Sequence, residues 1–187
     1  NAAIGYGSLG LNNTGYSNVA IGAASMDANL GGTTNTAVGY GTLGANTGGA
    51  DNVAMGYGAL GANQTGSNNV AIGNNALDAC TTTSSNVAVG TNALSANSSG
   101  LANTAIGHGA LLANTTADGN TALGSLALTA NQTGHSNTAI GHGTLKTPTT
   151  AINNSVAVGF NALTLADTGS INTAVGALCG DAITGGA

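Results

Sequence analysis

The chain has 187 residues, a length suited to one domain, but 32 of them are glycine, only 4% are charged, 3% are aromatic and 42% are hydrophobic. So little charge beside so much apolar material excludes a solvated disordered chain, and without tryptophan the core must be thin, built from Ala, Val, Ile and Leu. A single Lys, no Arg and a net charge of −5 remove the positive groove that phosphate binding requires, which excludes nucleic acid as a partner.

No run approaches the ~18 apolar residues of a membrane span, and no charged segment leads into an apolar stretch at the start, so membrane insertion by this segment is not expected. The chain opens directly in a repeat at Asn1 and closes on Gly185, Gly186 and Ala187. It reads as an excerpt of a longer protein, folded over 1–187 as a single repeat domain.

In chain order the repeat is NAAIG at 1, NVAIG at 18, NTAVG at 35, NVAMG at 52, NVAIG at 69, NVAVG at 86, NTAIG at 103, NTALG at 120 and NTAIG at 137. After one extra residue come SVAVG at 155 and NTAVG at 172, which makes eleven copies at a 17-residue period. A second apolar row follows within each copy: Leu9, Met26, Leu43, Leu60, Leu77, Leu94, Leu111, Leu128, Leu145 and Leu163. Three residues further on, Asn12, Asn29, Asn46, Asn63, Asn97, Asn114 and Asn131 form a polar row interrupted by Cys80, and a return stretch of Thr, Gly, Ser and Asn closes the unit.

Each unit therefore reads as a coil: a short strand, a Gly corner, a second short segment ending near the Leu, and a polar loop. The 17-residue period is too short for leucine-rich or helical repeats, and Gly does not recur every third residue as collagen demands. The expected fold is all-β, a parallel β-solenoid (β-roll) of about eleven coils, with identical residues stacked at ~4.8 Å into a rod of roughly 50 Å. Asn ladders that hydrogen-bond from rung to rung are expected along it.

Ordering each coil costs about as much as its few medium apolar side chains and backbone hydrogen bonds return, so self-association is expected. The invariant row Ala3, Ala20, Ala37, Ala54, Ala71, Ala88, Ala105, Ala122, Ala139, Ala157 and Ala174 alternates with the Ile/Val/Leu/Met row and must face the other way. Two placements are open: an outer face that admits only methyl groups because a neighbouring chain comes close, or a narrow corner inside the coil. The first is the expectation.

The NVAIG and NTAIG cores resemble the repeats of trimeric autotransporter adhesin heads, and the longer unit NTAVGYGTLGANTGGADNVAMGYGALGANQTG is similar to repeats of bacteriophage tail fibres. That resemblance implies a left-handed β-roll in each of three chains, hence a homotrimer, and a location on a virion surface or a cell surface. The function expected is a tail fibre shaft or head presenting a receptor-contacting surface; a bacterial adhesin or extracellular filament and an ice-binding solenoid are the alternatives. A host-surface receptor or glycan is the expected outside partner.

Catalysis needs converging acids, bases or nucleophiles, and here six Asp, three His, two Cys and one Lys are scattered along the rod without a triad or carboxylate pair. No enzyme, cofactor or metal site is expected. Tyr6, Tyr40, Tyr57, His108, His142 and Phe160 share one place in their coils, with Asn74, Thr91 and Ser125 between them, and so mark an exposed row, either a plain surface ladder or one able to contact glycans. His108 and His142 stand two rungs apart, about 10 Å, too far to share one metal within a chain.

Asn12, Asn63, Asn97, Asn114, Asn131 and Asn153 open Asn-x-Ser/Thr sequons, which would string glycans along an edge unless the Asn/Thr turn alone accounts for them. Cys80 and Cys179 lie about six rungs apart and cannot form a disulfide. Thr36, Thr104, Thr121, Thr138 and Thr173 alternate irregularly with Val19, Val53, Val70, Val87 and Val156, which breaks any regular Thr plane and signals a half-buried strand position. The extra residue falls near 146–154, where Lys146 and Pro148 indicate a protruding loop.

Overall fold

The computed structural model describes residues 1–146, 152–165 and 170–180. Each copy of the motif supplies one three-residue strand: β1 (Ala2–Ile4), β2 (Val19–Ile21), β3 (Thr36–Val38) and so on through β9 (Thr138–Ile140), β10 (Val156–Val158) and β11 (Thr173–Val175). They form a single 11-stranded parallel sheet in sequence order. Ala3 pairs with Ala20 and Ala20 with Ala37, so identical motif positions stack directly. The fold is an all-β parallel β-solenoid, one coil per repeat.

The extra residue causes no slip: Ala157 still pairs with Ala139 on one side and Ala174 on the other. Leu145 N donates to Ala162 O (3.0 Å), so the coil is in step up to that point, and Ile152 returns to the interior at 1% exposure. Most of the expected loop, 147–151, lies outside the described residues.

Beyond the strand the backbone goes on bonding from coil to coil. Met26 N donates to Thr42 O (2.9 Å), Ala28 N to Gly44 O (3.1 Å) and Gly31 N to Thr47 O (2.9 Å). Turns within the coil bend the chain between these contacts, as where Gly44 N donates to Gly41 O (3.2 Å) and Asn46 N to Leu43 O (3.1 Å). The Gly corner that follows each strand is fixed twice over: Gly73 has φ 137°, and a Cβ there would lie 2.6 Å from the carbonyl carbon of Gly90 in the next coil.

The Leu row also has a left-handed backbone, with φ 50° at Leu43, 52° at Leu94 and 49° at Leu145. For a side chain other than Gly this conformation costs about 1–2 kcal/mol per residue. Burial offsets it, because Leu43 and Leu94 are at 0% exposure and a fully buried Leu contributes about 1.5–3 kcal/mol.

The core reverses the expected facing of the strand. Ala20, Ala37, Ala54, Ala71, Ala88, Ala105, Ala122, Ala139 and Ala157 are completely buried within their own chain, in one cluster with the Leu row. Ala174 is nearly so, whereas Ala3, in the first coil, is exposed. The row cannot be an outer interface, and the narrow interior is the correct reading. The physical reason is the thinness of the coil: Leu side chains reach across from the far wall, and the strand facing them has room only for a methyl group. The Ile/Val/Leu/Met row instead points outward, with Met55 44% and Leu123 44% exposed.

Two substitution pairs test this packing by urea denaturation. Ala88→Leu forces a larger side chain into a filled interior and is expected to cost about 1–3 kcal/mol or more, whereas Val87→Thr on the outer face stays within about 0.5 kcal/mol. Leu94→Met, the residue that the second coil already uses as Met26, is expected to cost less than about 1.5 kcal/mol. Leu94→Ile keeps the volume but places a β-branched side chain at positive φ, and is expected to cost distinctly more. Equal losses in the two Leu94 variants would show that the backbone conformation exerts no selection.

Candidate functional site

Burial divides each coil into an interior that holds the rod together and a surface that faces outward. The outward columns of the sheet are the first surface. Ile21, Met55, Ile106, Leu123 and Ile140 form one column at 37–44% exposure, and the Val/Thr column beside it is half-buried to exposed. This is a flat apolar strip running the length of the sheet, and no described element covers it. The Val/Thr position is thus half-buried as its mixed composition indicates.

The second surface is the column just past the Gly corner. Tyr6 is 92% exposed, Tyr40 58%, Tyr57 57% and Phe160 54%, and His108 and His142 are exposed as well. Tyr40 and Tyr57 stack with centroids 5.4 Å apart and planes 10° apart; His142 and Phe160 do so at 5.6 Å and 16°. Both spacings are close to one rung, as expected when adjacent coils repeat one rotamer. Among the described residues no three or more His, Cys, Asp or Glu side chains gather as a metal site would require. His135 instead accepts a hydrogen bond from Asp118 N at Nδ1 (2.9 Å) in the return loop.

The sequon row lies inside. Asn46 Nδ2 donates to Asn29 Oδ1 (2.7 Å) and to Gly49 O (3.1 Å), and Asn63 Nδ2 donates to Asn46 Oδ1 (3.0 Å) and Gly66 O (3.1 Å). Asn114 Nδ2 reaches Asn97 Oδ1 (3.1 Å), and Asn131 Nδ2 reaches Asn114 Oδ1 (3.3 Å). Asn63, Asn97 and Asn114 are at 0% exposure and Asn131 at 2%, and the nitrogens a glycan would need are already bonded, that of Asn97 to Gly100 O (2.9 Å) because Cys80 interrupts the ladder there. The glycosylation reading is withdrawn for these four. Asn12 is half-buried with Nδ2 on Gly15 O (3.1 Å), and Asn153, half-buried in the return loop, accepts from His135 N.

A second buried ladder was readable and overlooked. Asn opens ten of the eleven motifs, and its regularity is the signal. Asn35 Oδ1 accepts from Asn52 N (3.0 Å) and Asn52 Nδ2 (3.0 Å), while Asn35 Nδ2 donates to Gly49 O (2.8 Å). Where Ser155 replaces Asn, its N still donates to Asn137 Oδ1 (3.0 Å) and its hydroxyl accepts from Asn172 N (3.1 Å). Among the described residues no buried side-chain polar atom lacks a partner.

Cys80 takes the place of an Asn, and Thr83 three residues on fills the space, with Sγ and Oγ1 2.6 Å apart. Burial pushes the Cys80 thiol above its ordinary pKa, against the opposing pull of its hydrogen bonds to Thr83. Cys80 and Cys179 are both free, the first buried and the second exposed.

No family model, curated protein or solved structure matches this chain.

The two thiols separate in a simple measurement. With an aromatic disulfide reagent at neutral pH, the native protein is expected to release one equivalent rapidly, from Cys179, and the second only on unfolding, because the buried Cys80 is both inaccessible and protonated. Rapid release of two equivalents from folded protein would contradict the buried position.

Proposed function

We propose that this chain is a non-enzymatic structural and adhesive fibre segment, most closely a shaft or head of a phage or viral tail fibre, which stiffens an extended assembly and presents a receptor-contacting surface. A bacterial surface adhesin or filament would use the same construction. The observation that carries the reading is the uncovered apolar strip on the sheet. At ~4.8 Å per rung and about 10 Å of width it amounts to roughly 500 Å², at the upper end of what a monomer ordinarily leaves bare.

A strip of that shape fits self-association along the rod axis. The proposed partner is two further copies of the chain, in keeping with the homotrimer implied by the resemblance of the NVAIG and NTAIG cores to adhesin-head and tail-fibre repeats. The contact is assigned to the outward Val/Thr and Ile/Val/Leu/Met columns, in place of the Ala row. Location on a virion or cell surface belongs to the same proposal.

Native mass by multi-angle light scattering tests it. Three times the 17.5 kDa of one chain is the expected result. Met55→Lys with Ile106→Lys, two charges placed on the strip three rungs apart, is expected to return the monomer while the far-ultraviolet circular dichroism stays unchanged. A monomeric wild type would sink the assembly, and would favour an ice-binding solenoid whose flat strip meets ice directly.

A further inference from the structure

We infer that the column past the Gly corner holds a binding slot for a single pyranose ring, walled by Tyr6 and Tyr40 and floored by Ala23. The inference rests on the receptor-presenting reading, though not on the number of chains in the assembly. The three residues occupy the same place in consecutive coils. Tyr40 and Tyr57, one rung apart, stack at 5.4 Å, which sets the step between rings along this column. Tyr6 and Tyr40 are two rungs apart, so the same rotamer puts their rings about 10 Å from each other, with only the Ala23 methyl group between them.

The gap admits a single ring layer. A carbon contact takes about 3.5–4.0 Å on each side, hydrogens included, so the roughly 2–3 Å that remains holds one ring with its substituents and no second layer. The faces of the two Tyr rings carry the negative end of their quadrupole and suit the C–H groups of a sugar, while the phenol hydroxyls stand beside its equatorial hydroxyls.

The surroundings keep the slot open. A Cβ at Gly7 or Gly41, the neighbours of the two Tyr residues, would meet nothing within 4 Å. The floor is held by the backbone, since Ala24 N donates to Tyr6 O (2.8 Å) and Gly41 N to Ala23 O (3.1 Å). Ile21 lies across the Gly22 corner on the apolar strip, so a ring in the slot and a chain on the strip occupy different faces. Six rungs along, His108, Ser125 and His142 repeat the arrangement with imidazoles for walls and a small residue for the floor. Two such slots on one rod, multiplied by the chains of an assembly, suit shallow polyvalent binding.

Saturation-transfer NMR with the methyl pyranosides of glucose, galactose and N-acetylglucosamine tests the slot. Transfer from the wild-type protein to at least one of the three is expected. Tyr40→Ala, which removes a wall, and Ala23→Tyr, which fills the gap by continuing the ladder, are expected to reduce that transfer strongly, and Tyr57→Ala, outside the slot, to preserve it. His108→Ala in the Tyr40→Ala background is expected to abolish what transfer remains. All four positions lie on the surface, and circular dichroism checks that the fold persists. No transfer to any of the three sugars, or transfer undiminished in Ala23→Tyr, would overturn the inference. Light scattering on the same samples reads the assembly separately: a monomer that binds keeps the slot and loses the fibre, and a trimer that does not bind does the reverse.

Discussion

Register between identical coils is the constraint on which everything else here depends. A residue meets its own equivalent one rung above and below, so each position must be a side chain that tolerates stacking on itself. Inside, the amide of Asn meets this demand best, because its oxygen and nitrogen are acceptor and donor at one end of one short side chain. Two such rows run through the coil, and each amide is tied both to the next coil and to a carbonyl of its own, as at Asn35 and Asn46. These ladders fix the register more strictly than a flat apolar contact would, since a slip leaves buried amides unpaired.

The same constraint accounts for the thin core. Seventeen residues enclose so little space that one Leu per coil, reaching across to an Ala and to one small residue such as Ala93, fills it. Large residues are driven outward. What in a compact domain would be the interior side of the strand, the Ile and Val positions, becomes an uncovered apolar strip. Interior economy and the uncovered strip are one property of the coil.

Period, fold class, strand positions, the Gly corner and the existence of Asn ladders were all legible in the repeat, because each is a statement about one position recurring through the chain. The direction of the strand was not. Alternation says that Ala88 faces away from Val87 and Val89, and nothing in a three-residue strand says which side is inside. Hydrophobicity argues for the larger side chains, and the width of the coil overrules it. The sequons misled for a related reason: Asn-x-Thr is a surface signature where a loop is exposed, but at Asn63 and Asn114 the same residues turn inward to cap the coil. The Tyr, His and Phe column was legible as exposed because its composition varies as no buried row does.

Variation is the positive counterpart of that rule. Interior rows accept substitution only with compensation, as where Cys80 loses the amide and Thr83 supplies both bulk and a hydroxyl. The column past the Gly corner is free of the interior's demand and runs through Tyr, Ala, Asn, Thr, His, Ser and Phe. A repeat of this kind separates what makes it fold from what it displays. Recognition can then be written along one column, coil by coil, in the choice of which rungs carry rings and which leave gaps between them, without disturbing the stacking underneath. A ladder of rings on every rung would present only edges, closed by its own stacking. In the proposed slots it is the small residue interrupting the ladder, Ala23 or Ser125, that exposes ring faces to a ligand, and so the least conspicuous positions of the column would decide what it holds.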